Sequence, residues 1–529
     1  MDLLTSLADS AAWPTLRAGL HLGFFLVLLY TFKRLFDLRG ALGLKHLPRA
    51  KRSLVVPLVL LAAGFGSALA YQATWQLTGL FRPQFIAFMQ SHDRRQFNPA
   101  HRIERGRILD HRGEVLAVSV DHRGQVVRVY PQGPAFAHLV GYSHPRFGAA
   151  GIEALANVHL NGGAPEDLKD WGELGRQLVT HAKRPKGRDL VLTVDAELQR
   201  LAVERLGPRA GAVVLLRPAD GAIRMLVSTP GYDPNRISAA LFRGGDPALP
   251  LLNRATQGLY PPGSTFKVVT AAQALNAGFS GTLYCPADGY TTSARYRKIR
   301  DQAYYAAREA GRSWPGYGNL DLATALAESS NVFFAQIGVR FGHDAFRRTA
   351  EQLYLGRKVS LYEGPFGSWA MASGRVPAIR DSDRYGLAQI SIGQGAILVT
   401  PAHMALITAA IANGGVAMRP RLVASEPPQP LARFLPEGSA NRLAKMMRKV
   451  VTEGTGRGID VPGLAIAGKT GTAQNPQGPA HSWFIGFAPA ERPALAVAVL
   501  VEHAGFGSKA AAPIARDLFL RAQELGEIP

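Results

Sequence analysis

The chain has 529 residues and one cysteine, Cys285, so an intrachain disulfide is impossible and a thiolate metal centre is not expected. Its 60 Lys and Arg against 39 Asp and Glu give a formal charge of +21. These basic residues are spread along the chain with no zinc-finger, ribonucleoprotein or basic-zipper pattern, which argues against nucleic acid as a partner.

The length allows two or three domains, and dispersed glycine and proline without repeats point to a globular body. Part of the basic excess is concentrated, however. Lys33, Arg34, Arg39, Lys45, Arg49, Lys51 and Arg52, opposed only by Asp37, lie between two apolar segments at about 16–36 and 53–81. The second segment has no charged residue from Ser53 to Phe81, longer than the roughly 20 apolar residues that cross a bilayer. Tyr71 and Trp75 fall toward its far end, as interfacial anchors do. The first segment is shorter and spans only if Leu16 or residues after Lys33 contribute, with Arg17 or Lys33 snorkelling. A basic loop at 33–52 belongs in the cytoplasm, which puts everything after Arg82 outside. Ser67-Ala68-Leu69-Ala70 looks like a signal-peptidase site, but the apolar run continues past it, so an uncleaved anchor is expected.

Residues 1–81 thus read as a membrane-anchor region and 82–185 as a short N-terminal module. In that module the runs 115–120 and 125–130 flank Asp121-His122-Arg123-Gly124 and predict a hairpin. A proline with three basic residues at 183–186 marks the boundary of a large domain, 186–529. That domain opens with a strand at 190–194 and a helix at 196–206, followed by a hairpin of 212–216 with 222–228 around an Asp-Gly turn. Helical patterns cover 266–277, 320–341 and 401–413, and strands are expected at 464–472, 482–488 and 494–501 before a closing helix at 510–525. Strands at both ends with helices between them predict a mixed α/β domain of the α+β type. Both ends would share one antiparallel sheet flanked by helices.

Three short motifs carry the chemistry. In Tyr260-Pro261-Pro262-Gly263-Ser264-Thr265-Phe266-Lys267 the prolines and glycine end the preceding chain, and a helix follows until Gly278. Ser264 falls at the helix N-terminus, where backbone N–H groups and the dipole favour negative charge. Lys267 shares its face three residues on. A serine hydroxyl needs a base to take its proton, and Lys267 can serve once burial or a second cation depresses its pKa. Lys469 is a candidate for that cation. In Ser329-Ser330-Asn331 a hydroxyl could relay a proton to a leaving amine, while the Asn331 amide could hold a substrate amide and orient Lys267. Lys469-Thr470-Gly471-Thr472 ends an apolar run behind Gly468, a glycine-rich strand edge that a peptide backbone can approach. Lys469, Thr470 and Thr472 could bind a substrate carboxylate, and the N–H groups of Ser264 and Thr472 could form an oxyanion hole. The set is equipment for acyl transfer at a peptide carbonyl.

The same trio occurs in class A β-lactamases and penicillin-binding proteins, with an aspartate where this chain has Ser330. Further segments extend the likeness: Arg105-Gly106-Arg107-Ile108-Leu109-Asp110 with Gly113, His138-Leu139-Val140-Gly141-Tyr142, Gly151-Ile152-Glu153, Asp233-Pro234-Asn235, Asn253-Arg254-Ala255, Gly393-Gln394-Gly395 and Trp483-Phe484-Ile485-Gly486-Phe487. From Arg105 to its C-terminus the chain resembles a class B penicillin-binding protein, a membrane-anchored peptidoglycan transpeptidase. The resemblance implies a penicillin-binding transpeptidase-like fold and D,D-transpeptidation of stem peptides ending in D-Ala-D-Ala. It implies Ser264, Lys267, Ser329 and Asn331 as catalytic residues, and Lys469, Thr470, Gly471 and Thr472 as substrate-binding ones. It also implies acylation of Ser264 by β-lactams, no metal or cofactor, a SEDS-type glycan polymerase as partner, and a catalytic domain on the periplasmic face of the inner membrane.

Two features depart from that family: two apolar segments where one anchor helix is usual, and a short N-terminal module. No glycosyltransferase-like domain precedes the module, which argues against a bifunctional class A enzyme. A D,D-carboxypeptidase would use the same residues with water as acceptor. A β-lactamase or β-lactam sensor would need a water-activating glutamate that the sequence does not reveal. A scaffold that activates the polymerase is the reading from a different class.

Overall fold

The computed structural model describes residues 104–122, 125–161, 187–364, 367–380 and 382–529, with Tyr30, Lys33, Gly64 and Gly66 besides. The two apolar segments, the basic loop and the expected boundary at 183–186 lie outside the described residues. No helix among the described residues is long and apolar enough to cross a membrane. The chain divides into two units, Met1–Asp93 with Pro365–Gly367 and Arg94–Gly364 with Ser368–Pro529. The elements that build the site belong to the second.

Strands β1 (Ile108–Leu109), β2 (Val115–His122), β3 (Gln125–Val129) and β4 (Leu190–Val191) form one sheet in the order β3-β2-β1-β4. The expected hairpin is β2 against β3, with His122 opposite Gln125. Strand β1 pairs in parallel with β4 across the break in the description. Behind them, the fully buried Glu153 carboxylate accepts from Arg105 Nε at 3.0 Å and Arg128 Nε at 2.6 Å. The expected strand at 190–194 is shorter than its apolar run. Leu192 forms only an isolated bridge with Val423, and Asp195 stops the strand by capping the next helix.

That helix, α1 (Ala196–Leu206), starts with Asp195 Oδ1 accepting from the Glu197 and Leu198 N–H groups and ends at Gly207. Strands β5 (Gly211–Leu216) and β6 (Ile223–Thr229) follow, then helix α2 (Lys267–Asn276) behind a 3-10 turn at Gly263–Phe266. The middle of the chain supplies β7 (Thr282–Pro286), α3 (Gln302–Glu309), β8 (Gly316–Asp321), α4 (Leu322–Ala327), α5 (Asn331–Gln352), α6 (Arg384–Ser391), α7 (Pro401–Ala412) and α8 (Glu437–Thr452). Strands β9 (Ala467–Asn475), β10 (Gly478–Ala488) and β11 (Leu495–Val501) and helix α9 (Ala511–Glu524) close the fold.

The central sheet runs β9-β10-β11-β5-β6, antiparallel throughout. Its two ends of sequence meet where Val501 pairs with Gly211, as expected. Every residue of β5, β6 and β11 is buried because helices cover both faces, and alternation sends successive side chains to opposite cores. Val213 and Leu215 join Leu198, Leu206, Leu518 and Phe519 on one face. Ala212, Val214 and Leu216 join Leu406 and the α2 side chains on the other.

The middle region differs most from the sequence reading. A helical pattern is expected over 320–341 with Ser329–Asn331 at a helix junction; two helices, α4 and α5, do meet there, but Leu320 and Asp321 belong to β8. Asp321 caps α4 by accepting from Thr324 N, and Ser330 caps α5 by accepting from Phe333 N. Between them Ser329 has φ 58°. Two caps within ten residues outcompete a continuous apolar period, because each satisfies N–H groups that the other helix would leave open. Helices α3, α6 and α8 and the β7–β8 pair were not anticipated.

Candidate active site

The 3-10 turn brings Ser264 onto the start of α2, half-buried, and Lys267 follows on the same face with no exposed surface. Gly263, at φ 54°, packs against the end of β9: a Cβ there would lie 2.7 Å from Thr472 O. Gly393, at φ 74°, is closer still, with room for no Cβ beside Gly263 O at 1.9 Å, and Gly263 N donates to Gly393 O. Trp483 Nε1 donates to Pro261 O at 3.1 Å. The serine turn is therefore wedged between α6 and the sheet, and those glycines exist because backbone must touch backbone.

All three motifs converge. Lys267 Nζ lies 3.0 Å from Ser264 Oγ, 2.6 Å from Ser329 O, 2.7 Å from Asn331 Oδ1 and 3.1 Å from Ser329 Oγ. Two of these neighbours, the Ser329 carbonyl and Asn331 Oδ1, can only accept. A neutral amine has two N–H bonds, so both are spent there and its lone pair is left for the Ser264 hydroxyl. Burial pushes the Lys267 pKa down to about 7, opposed by the carboxylate of Asp301. An ammonium at a helix N-terminus is disfavoured in the same sense.

Lys469 is equally buried, and its Nζ lies 2.9 Å from Ser329 Oγ and 3.0 Å from Thr470 O. Burial, then the neighbouring Lys267, hold its pKa well below the ordinary lysine range. Ser329 Oγ thus touches both lysine nitrogens. Its backbone is left-handed without being glycine, a conformation that costs about 1–3 kcal/mol and is kept where the surroundings enforce it. Asn331 bridges inward: one hydrogen of Nδ2 goes to Arg300 O at 2.9 Å while Oδ1 holds Lys267.

Strand β9 lies at the sheet edge, with Lys469 opposite Ile485 and Thr472 opposite Ser482. Its other edge pairs with no strand among the described residues. Thr470 Oγ1 is 2.7 Å from Thr455 Oγ1, and Gly507 N donates to Thr472 Oγ1 at 3.4 Å. Gly471 carries no side chain because β9 lies against the buried Thr265 and Trp483, which a Cβ there would meet at 2.8 and 2.9 Å. Of the expected site residues, Ser264, Lys267, Ser329, Asn331 and Lys469 form one hydrogen-bonded cluster, and Thr470–Thr472 line the strand beside it. Sequence reasoning did not single out Asp301 or Arg300 at the site, because no motif spacing marks them.

Elsewhere, His111, Asp195 and Glu527 are the one group among the described residues with metal-ligand spacing. Arg112 Nε lies 2.8 Å from Asp195 Oδ2 and Arg224 Nε lies 3.1 Å from Glu527 Oε2. Cations already fill that charge, so the group is an ion-pair network tying the C-terminus to the first strand turns.

Residues 211–520 match the penicillin binding protein transpeptidase domain, and residues 105–184 match the penicillin binding protein A dimerisation domain. The peptidoglycan D,D-transpeptidase PbpA of Mycobacterium tuberculosis is 35% identical over 443 residues, covering 76% of this chain and 86% of that protein. The peptidoglycan D,D-transpeptidase MrdA of Acinetobacter baumannii is 29% identical over 459 residues, covering 73% and 65%. Among solved structures, the imipenem acyl-enzyme complex of penicillin-binding protein A from M. tuberculosis superposes with a TM-score of 0.70 at 33% identity, covering 80% of this chain and 99% of that one. By these matches the chain belongs to the penicillin-binding protein transpeptidase family, in its class B branch.

Proposed function

We propose that this protein is a D,D-transpeptidase that cross-links peptidoglycan stem peptides through a Ser264 acyl-enzyme and is acylated there by β-lactams. The observation that carries the reading is the buried Lys267 nitrogen, 3.0 Å from Ser264 Oγ, with its pKa near 7. Lys267 takes the Ser264 proton as Oγ bonds to the carbonyl carbon of the penultimate D-alanine. The N–H groups of Ser264 and Thr472 receive the oxyanion. As the tetrahedral species collapses, the C–N bond breaks, and Ser329 Oγ passes a proton from Lys267 to the departing D-alanine amine. An acceptor amine of a second stem peptide then runs the sequence in reverse and forms the cross-link.

The strand edge at Lys469–Thr472 pairs with the donor peptide backbone, and the hydroxyls of Thr470 and Thr472 hold its terminal carboxylate. Lys469, turned inward onto Ser329 and the Thr470 carbonyl, holds the strand and the relay hydroxyl in place behind those hydroxyls. The apolar segment ending near Phe81 anchors the enzyme in the inner membrane with the catalytic domain on the periplasmic side. That segment and the 82–185 module are the surfaces offered to a SEDS-type glycan polymerase.

Labelling with a fluorescent penicillin, followed by mapping of the modified peptide, is expected to give a persistent adduct on Ser264 that Ser264→Ala abolishes. With lipid-linked glycan strands as substrate, cross-linked dimers are expected only from the wild type. Tetrapeptides without dimers would make the protein a carboxypeptidase, and rapid β-lactam turnover would make it a hydrolase.

A further inference from the structure

Asp301 lies outside the three motifs, yet it is buried against the middle one, with 3% of its surface exposed. Its Oδ1 accepts from Ser330 Oγ at 3.0 Å and from Val332 N at 3.1 Å. The adjoining Arg300 carbonyl accepts from Asn331 Nδ2. One dipeptide thus takes a hydrogen bond from each of residues 330, 331 and 332, fixing the turn that presents Ser329 and aims Asn331 Oδ1 at Lys267. The second oxygen, Oδ2, is buried with no hydrogen-bond partner. A buried carboxylate oxygen without a hydrogen-bond donor is costly unless a nearby positive charge compensates it.

The surroundings explain it. Burial pushes the Asp301 carboxyl above the usual carboxylate range, and the Val332 N–H, the Lys267 ammonium and the Ser330 hydroxyl oppose that rise by favouring the charged form. The same carboxylate opposes the fall of the Lys267 pKa, and Lys469 stands behind the same serine. The other titratable groups facing Asp301 are uncharged: Cys285 on β7, its thiol pushed up to about 11 by burial, and Tyr317 on β8, its phenol pushed up by burial. Glu328 on α4 is exposed and reaches Tyr317 from the solvent side. Arg300 directs its guanidinium over the Tyr304 ring, 4.7 Å from the centroid.

We propose that Asp301 is a positioning residue for the acylation step: it clamps the Ser330–Val332 turn and, from behind that turn, supplies a negative charge that favours the ammonium forming on Lys267 when Ser264 loses its proton. The carboxylate that related enzymes carry in the middle motif, where this chain has Ser330, is supplied here from the neighbouring segment. Two buried lysines and a helix N-terminus would otherwise meet the transferred proton with no compensating charge. The inference rests on the acyltransferase reading above.

The test is the pH profile of the second-order acylation rate of the full-length protein in detergent, with a fluorescent penicillin. Asp301→Asn keeps an acceptor for Ser330 and Val332 but removes the charge. Its midpoint is expected to fall by about one pH unit, as loss of an adjacent opposite charge does. The plateau is expected to fall by up to about tenfold, with the effect in the acylation step and not in reversible binding. A merely structural role predicts a wild-type midpoint, and that result overturns the proposal. Asp301→Glu keeps the charge on a longer arm and is expected to lose rate while holding the wild-type midpoint. A midpoint lowered by about one unit there would overturn the proposal even if the Asn variant does not fold. An unlabelled wild-type Ser264 removes the acyltransferase reading and this inference with it, whereas a labelled wild type with an unmoved Asn profile removes the inference alone.

Discussion

The pH dependence of acylation gives the most direct access to the buried lysine. Only neutral Lys267 can take the Ser264 proton, and burial places its pKa at about 7. The neutral fraction is then about 9% at pH 6, about 50% at pH 7 and about 91% at pH 8. The second-order rate of labelling by a fluorescent penicillin should rise roughly tenfold between pH 6 and 8, and the curve should bend near 7. An ordinary lysine, with a pKa of about 10.4, would give a roughly hundredfold rise over the same interval with no bend. Stopped-flow fluorescence on the full chain, with the penicillin itself shown stable across the range, separates these cases. Lys267→Arg keeps the positive charge but cannot act as a base, and it should lower the plateau by about 10²–10⁴. A profile flat from pH 6 to 8, or a Lys267→Arg variant that labels at the wild-type rate, would refute Lys267 as the base.

Other perturbations probe the scaffold. Replacing Ser329 by glycine relieves the left-handed strain at φ 58° but removes the hydroxyl that both buried lysine nitrogens touch, so stability in denaturant melts should change little while labelling slows by about 10² because the relay hydroxyl is lost. Gly393→Ala drives a Cβ into Gly263 O and should slow labelling at least about tenfold, since a misplacement of about 1 Å at a reacting group is costly; an unchanged rate would mean the turn has slack. Glu153→Ala leaves the largely buried guanidinium groups of Arg105 and Arg128 without their carboxylate. It should cost about 3–5 kcal/mol, read as early loss of protease resistance in the Arg105–Leu160 region with the labelling rate retained by folded molecules. Equal protease resistance would refute it.

The boundaries that were legible from the chain share one property: a strong local signal with nothing competing. Helices α1, α7 and α9 and strands β10 and β11 were legible because their apolar periods are bounded by a cap, a proline or a glycine. In the 320–341 stretch the polar junction at Ser329–Asn331 was legible, whereas the start of α4 was not, because Leu320 fits the helical spacing and only the Asp321 cap separates strand from helix. Helix α3 and the β7–β8 pair lie in a polar, aromatic segment, where β7 packs against α5 and β8 against α4.

The candidate site divides along the same line. Residue type and spacing single out Ser264, Lys267, Ser329, Asn331 and Lys469–Thr472 as candidates, since a nucleophile needs a base one helical turn away and a peptide needs an open strand edge, and the family resemblance joins the three motifs into one proposed site. Local sequence also sets the two ends of the central sheet, whose apolar runs leave no other place to be buried. Tertiary structure decides the rest. Burial of two lysines around one serine hydroxyl lowers the pKa of both, and only the assembled fold turns Lys469 inward onto Ser329. Asp301 matters only because folding brings it within reach of Ser330 and Val332, about 30 positions away along the chain. A pKa depends on the dielectric and charges around a group, and those are properties of the assembled interior, which no stretch of sequence contains.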